Sequence, residues 1–150
     1  MFSLDISIIK PSDSDEYLIT IKCKEVPPEL IQLFNTLQAG QVQRQILGYI
    51  DSEVHRISPE DIFYIESVDK KVFLYDEQSV YASRQRLYEL EEELGTAVFL
   101  RVSKTTIVNL NKIKIISPIL SGKLEATLLN DEKIIISRQY THALKSHLGI

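Results

Sequence analysis

The sequence predicts a mainly β protein with short helices (α+β). It reads as a small β-β-α extension over residues 1–40 and an antiparallel β domain over 44–150. Three observations predict this. Between residues 44 and 136, short apolar segments alternate with turn residues. Only one stretch in that interval carries a helical stripe of any length, and strands so connected do not make βαβ units. The first 40 residues hold two strand-like runs followed by one amphipathic run, and "AGQVQ" (39–43) reads as a linker with a soft boundary at 40–44.

The elements follow in order. "SLDISII" (3–9) is mostly apolar, and "PSDSDE" (11–16) is a loop of turn formers. "YLITIKC" (17–23) puts Tyr17, Ile19, Ile21 and Cys23 on one face at the strand period. "PPELIQLFNTLQ" (27–38) opens with prolines, which suit a first helical turn, and its stripe is Leu30, Leu33, Phe34 and Leu37. "QILGYIDSEVHRIS" reads as a hairpin turning at Asp51-Ser52. "SPEDI" (58–62) suits a single helical turn, with Ser58 as cap and Pro59 at the first position. "FYIESVDKKVFLYDEQSVYAS" reads as three strands, with "VDKK" (68–71) as a basic turn and Asp76-Glu77 at the second turn. "RQRLYELEEEL" (84–94) reads as a helix with Leu87, Leu90 and Leu94 inward, stopped by Gly95. "GKLEATLL" and "EKIIIS" form another hairpin around Asn130-Asp131. "SRQYTHALKSHLG" is expected as a closing helix with Tyr140, Leu144 and Leu148 inward and Gly149 as its stop.

Bulk properties narrow the function. No apolar run approaches the roughly 20 residues needed to span a bilayer, and the N-terminus lacks the pattern of a signal peptide. The lone cysteine, Cys23, permits neither an intramolecular disulfide nor a multi-thiolate metal site. A cytoplasmic protein is expected. His55, His142 and His147 are not at metal-ligand spacing, there is no Gly-rich phosphate loop, and Ser83, Ser103 and Ser137 have no histidine nearby in sequence. No enzyme, no metal, no cofactor and no small-molecule substrate are expected. The net charge of −4 is unevenly spread: −2 over residues 1–50, −7 over 51–95 and +5 over 96–150. Because salt screens charge beyond about 10 Å, the basic last third can attract a phosphate backbone despite the acidic whole.

That last third contains "FLRVSKTTIVNLNKIKII" (99–116). Phe99 and Leu100 begin it as a buried strand begins, and Ile107 and Val108 continue one. Between them stand Arg101, Ser103, Lys104, Thr105 and Thr106, residue types that contact phosphates and base edges. A solvated edge strand protected by Lys and Thr is the alternative. A second signal is the tripeptide "SRQ", which occurs as Ser83-Arg84-Gln85 and Ser137-Arg138-Gln139. Each serine reads as an N-cap, placing an arginine in a first helical turn where the dipole disfavours a cation. An arginine beside a helix N-terminus makes a phosphate clamp; the alternative is a sideways ion pair to a carboxylate.

The motifs "DIFYIES" (61–67), "LYELEEEL" (87–94), "FLRVSKTTIVNLNKI" (99–113) and "IIISRQYTHALKSHL" (134–148) stand in the order and spacing of a known family. From about residue 44 to 149 the chain resembles the LytTR DNA-binding domain of bacterial transcription regulators. The resemblance implies an elongated, mostly antiparallel β fold that inserts loops into successive major grooves at paired direct-repeat sites. It implies base contacts at Lys104 and Arg138. Lys70, Lys71, Arg84, Arg101, Ser103, Thr105, Lys112 and Ser137 are expected to touch phosphate or support those contacts. Val72 stands where some members carry a histidine contact, so Lys70 or Lys71 is expected to touch phosphate there instead. Lys104 stands where others carry asparagine or histidine, which implies a different preferred base. Asn109 is expected to close a turn. About 40 residues precede the segment, too few for a phosphate-accepting receiver of roughly 100 residues, so the resemblance is to short stand-alone regulators.

The function expected is a sequence-specific regulator binding double-stranded DNA. The alternative is a protein-interaction module with no direct DNA binding. A two-strand, one-helix extension has little core of its own, so its apolar face is expected against the β domain or a second subunit, the homodimer favoured. The resemblance also implies a membrane-bound inhibitor protein as a partner.

Overall fold

A computed structural model describes residues 4–38 and 45–150. The expected linker at 39–43 and the boundary at 40–44 lie outside these residues, as does the side chain of Leu37. The chain divides into two compact units, Met1–Val42 and Gln43–Ile150.

In the first unit, strand β1 (Asp5–Ile9) pairs antiparallel with β2 (Leu18–Lys22), Asp5 opposite Lys22 and Ile9 opposite Leu18. Helix α1 (Pro28–Gln38) follows, with Pro28 at a position whose N–H needs no partner. Alternate residues Ile19, Ile21 and Cys23 line one side of a groove, and Leu30, Ile31, Leu33 and Phe34 of α1 line the other. The groove is open. None of residues 4–35 is buried, and Leu33 and Phe34, expected inward, are 50% and 56% exposed.

The second unit is a seven-stranded antiparallel sheet in the order β4-β3-β7-β6-β5-β9-β8. Its strands are β3 (Ile46–Ile50), β4 (Glu53–Ile57), β5 (Tyr64–Val68), β6 (Lys71–Tyr75), β7 (Val80–Ser83), β8 (Phe99–Arg101) and β9 (Thr106–Asn109). A three-stranded sheet of β10 (Ile113–Pro118), β11 (Leu124–Leu128) and β12 (Lys133–Ile136) completes it. Helix α2 (Leu87–Leu94) and helix α3 (Thr141–Leu148) cover the sheets. The turn at Asp76 is built by its side chain, which accepts from the N–H groups of Gln78 and Ser79 and from the Tyr81 hydroxyl.

Two apolar clusters meet across β8 and β9. Phe99 and Ile107 join one, with Ile65, Leu74 and Leu90; Leu100, Val102 and Val108 join the other, with Leu124, Leu128, Ile136 and Leu144. Alternate residues of a strand point to opposite faces, so this edge of the sheet is buried on both. Each such side chain contributes about 1.5–3 kcal/mol by leaving water. The loop between β8 and β9 is therefore held from both ends by fixed strands.

Two helix starts differ from expectation. Residues 84–94 are not all helical, because β7 runs through Ser83, which pairs with Val72. The Ser83 hydroxyl accepts from the Gln85 N–H, forming a local turn rather than a cap. Helix α2 begins at Leu87 behind Arg86, whose N–H donates to the Glu89 carboxylate at 2.8 Å. At the C-terminus the expected single helix splits into a 3₁₀ turn, Arg138–Tyr140, and α3. Leu144 is buried, but Leu148 is 37% exposed rather than inward. Gly149, at φ 72°, ends α3 in the left-handed region that glycine enters freely.

Candidate nucleic-acid interface

The register brings several basic residues to one end of the seven-stranded sheet. Strand β5 leaves at Val68, which faces Lys71 at the start of β6; β7 ends with Ser83 opposite Val72. Strand β8 ends with Arg101 opposite Ile107, and β9 begins with Thr106 opposite Glu66. The Asp69-Lys70 turn, Arg84 and the loop 102–105 therefore share this end.

Backbone hydrogen bonds join the pieces. The Val102 N–H donates to the Thr106 carbonyl at 3.0 Å and closes the loop. The Ser67 N–H donates to the Thr105 carbonyl at 2.8 Å, tying the loop to the β5–β6 hairpin. The Ser137 N–H donates to the Val102 carbonyl at 2.8 Å, which seats the start of the C-terminal turn against the same loop. Lys104 and Arg138, thirty-four positions apart in sequence, stand on segments one hydrogen bond from a common residue.

Arg101 organises this loop from within. Its Nε donates to the Ser103 carbonyl at 2.9 Å and a terminal nitrogen donates to the Lys104 carbonyl at 2.7 Å. The other terminal nitrogen pairs with Glu91 of α2 at 2.7 Å. Ser103 adds a turn of its own, its hydroxyl accepting from the Thr105 N–H at 3.1 Å. With these carbonyls engaged, Lys104 and Thr105 stand exposed at the tip.

The hairpin beside it is strained. Asp69 and Lys70 both have positive φ, 51° and 65°, and neither is glycine. A left-handed conformation costs an ordinary L-residue about 1–2 kcal/mol. Lys70 and Lys71 are exposed, whereas Val72 is 6% exposed and packs in the core. A base contact from position 72 is therefore excluded by its direction.

The remaining residues divide. Arg84 is not in a helix, because the strand continues to Ser83; its guanidinium carbon stands 4.2 Å from the centre of the Tyr49 ring. Arg138 is exposed and opens the 3₁₀ turn one turn ahead of α3, which removes most of the dipole penalty expected there. The Ser137 hydroxyl makes no cap bond. Lys112 is not brought to the others: it lies beyond Asn109, at the opposite end of β9, with its ammonium 5.0 Å from the Phe63 ring centre. Its neighbours around a shallow cleft include Asp61, Asp76 and Glu77, so that end is acidic where the first is basic. Asn109 is buried and closes a turn, accepting from the Asn111 N–H and donating to the Ile62 carbonyl.

Residues 52–149 match the family model described as the LytTr DNA-binding domain. The chain belongs to the LytTR family. It is similar to the "sensory transduction protein LytT" of Enterococcus faecalis, 26% identical over 95% of this chain and 59% of that one. It is similar to the protein of that name from Bacillus anthracis, 28% identical over 95% of this chain and 60% of that one. The chain thus spans about three-fifths of the length of these two relatives. An uncharacterised HTH-type transcriptional regulator of Staphylococcus aureus is 27% identical over 95% of both chains. A solved LytTr DNA-binding domain from Bacillus cereus shares the fold, with a TM-score of 0.68 at 24% identity over 71% of this chain and 97% of that one.

Within this LytTR domain, Tyr64 and Tyr75 stack with ring centres 4.2 Å apart. Burial first, and then the charge and hydrogen bond of Glu132, push the Tyr64 hydroxyl well above the usual tyrosine range. This pair joins β5 and β6 to the β11–β12 turn and titrates outside physiological pH. Glu91, the partner of Arg101, carries no mark in the linear sequence, because it stands ten residues away on another element. Among the described residues, no group of three or more His, Cys, Asp or Glu could hold a metal, and no helix is long and apolar enough to cross a membrane.

Proposed function

We propose that the protein is a transcription regulator that binds specific double-stranded DNA sites through the basic end of its seven-stranded sheet. The observation that carries this reading is the hydrogen-bonded cluster of the 69–71 turn, the 102–105 loop and the 137–138 turn on a LytTR domain. Lys104 and Arg138 reach base edges, since both are exposed and the bidentate geometry of arginine suits a guanine edge. Lys70 and Lys71 contact phosphate. Arg84, Ser103, Thr105 and Ser137 support the contacts, and Arg101 acts by holding the loop. The loops enter successive major grooves of paired, direct-repeat sites.

A homodimer formed through the first unit suits paired sites. Its open groove of about 340 Å³ presents Ile19, Leu33 and Phe34, each at least half exposed. Sedimentation of the full chain tests this part: wild-type protein that is monomeric at tens of micromolar refutes it, and Phe34→Glu is expected to shift a dimer to monomer.

The DNA reading is tested by a gel shift with duplex from upstream of the protein's own gene. The expected result is binding that weakens steeply with salt. Folded protein that binds no duplex at low salt refutes it and favours an interaction module.

A further inference from the structure

Leu120 is the most exposed large apolar side chain among the described residues, at 88%. It lies in the β10–β11 connection, a site outside the contact set assigned above. That connection is built rather than loose. The Ile119 N–H donates to the Lys123 carbonyl at 3.0 Å, and Ser121 and Gly122 take consecutive left-handed conformations, at φ 67° and 72°. A sharp loop of this kind holds Leu120 out from the sheet, almost wholly in water among the described residues.

The loop also lies against the candidate base reader. Pro118 pairs with Leu124, and Leu124 pairs with Ile136, so the ends of β10 and β12 adjoin the loop and Ser137-Arg138 respectively. A Cβ placed on Gly122 would lie 3.4 Å from Cγ and 3.5 Å from Cδ of Arg138. The stem of Arg138 therefore runs along the loop backbone at Gly122, two residues from Leu120 in the same short turn. Water is a poor environment for a side chain this exposed, while in the major groove each thymine presents an apolar methyl group.

We infer that Leu120 is a specificity-determining residue that contacts a thymine C5-methyl group next to the base step read by Arg138. This rests on the reading that Arg138 faces the major groove. The loop supplies the apolar half of a two-part recognition: the guanidinium takes acceptors on one base edge and the leucine takes a methyl on a neighbouring one. Lys123, exposed on the same loop, is placed for the flanking phosphate.

The test uses the full chain and a duplex enriched by it from a randomised pool. A second duplex carries deoxyuridine in place of every thymidine, which removes methyl groups and nothing else. Wild-type protein is expected to bind the deoxyuridine duplex at least about 4-fold more weakly, the effect of exposing one buried methyl. Leu120→Ala should lose a similar factor on the thymidine duplex and little more on the deoxyuridine one. Leu120→Met should keep the thymidine preference. Leu120→Ala binding the thymidine duplex as tightly as wild type overturns the proposal, as does an equal loss on both duplexes, which would mark a general structural role. If wild-type chain enriches a site but ignores methyl removal, Leu120 alone is wrongly assigned. If it enriches no site, the DNA reading and this inference fall together.

Discussion

Replacing Arg101 with methionine separates holding the loop from touching DNA. The side chain of Arg101 is 25% exposed, and all three of its donor nitrogens are engaged within the protein. The two hydrogen bonds to loop carbonyls are worth about 1 kcal/mol each, as bonds with a charged donor at a partly wet site. The Glu91 pair, with that carboxylate 40% exposed, adds roughly 0.5 kcal/mol after screening. Methionine preserves most of the stem packing, so Arg101→Met should destabilise the domain by about 2–3 kcal/mol, or roughly 10 °C in Tm. DNA affinity should fall because Lys104 is no longer held in place. The dependence of log K on log salt should keep its slope, since no phosphate contact is removed. The assays are thermal unfolding by circular dichroism and fluorescence anisotropy across a salt series. A slope reduced by about one, with unchanged Tm, would instead make Arg101 a phosphate contact and not the holder of the loop.

Three further outcomes are expected. Arg138→Ala should weaken specific binding by about 1–3 kcal/mol in a gel shift with enriched duplex, with little change in Tm; wild-type affinity would remove Arg138 from the interface. Lys70→Gly should relieve left-handed strain and raise stability by about 1 kcal/mol in urea unfolding, while lowering the salt slope by about one; the opposite sign in stability would show that the turn is not strained. Tyr64 should make stability fall above pH 10: its folded hydroxyl titrates above its ordinary value of 10.0, so the contribution is intact below pH 10 and is lost as pH rises toward the folded value. Urea midpoints at pH 9 and 11 should therefore fall less in Tyr64→Phe than in wild type.

The sequence made some of this plain and hid the rest for identifiable reasons. The hairpins at Asp51-Ser52 and at Asp69-Lys70 were legible because turn residues interrupt alternating apolar runs, and the register is then set by the turn. The polar insert of 99–108 was legible as a loop because apolar anchors flank it. The start of α2 was misplaced because Ser83 is as good a cap as any serine; pairing with Val72, invisible locally, kept it in a strand. Lys112 looked like one more cation of the basic third. Four residues of β9 carry the chain to the other end of the sheet, so linear clustering overstated its place. Arg101 is expected to touch phosphate or support the contacts, and which of the two could not be told from the sequence, because its partners are two backbone carbonyls and a glutamate of α2 that no linear pattern marks. The exposure of Leu120 is invisible in the sequence, because a lone leucine says nothing about whether folding buries it.

The most direct test of the central claim is selection of duplexes from a randomised pool by the full chain, followed by footprinting on the enriched sequence. The expected result is a repeated motif whose copies are separated by about one helical turn or a multiple of it, roughly 10–10.5 base pairs, with protection in successive major grooves. Arg138→Ala is expected to lose discrimination at one base step within each copy. Folded protein that enriches no sequence, or that protects DNA without any preferred site, would contradict it.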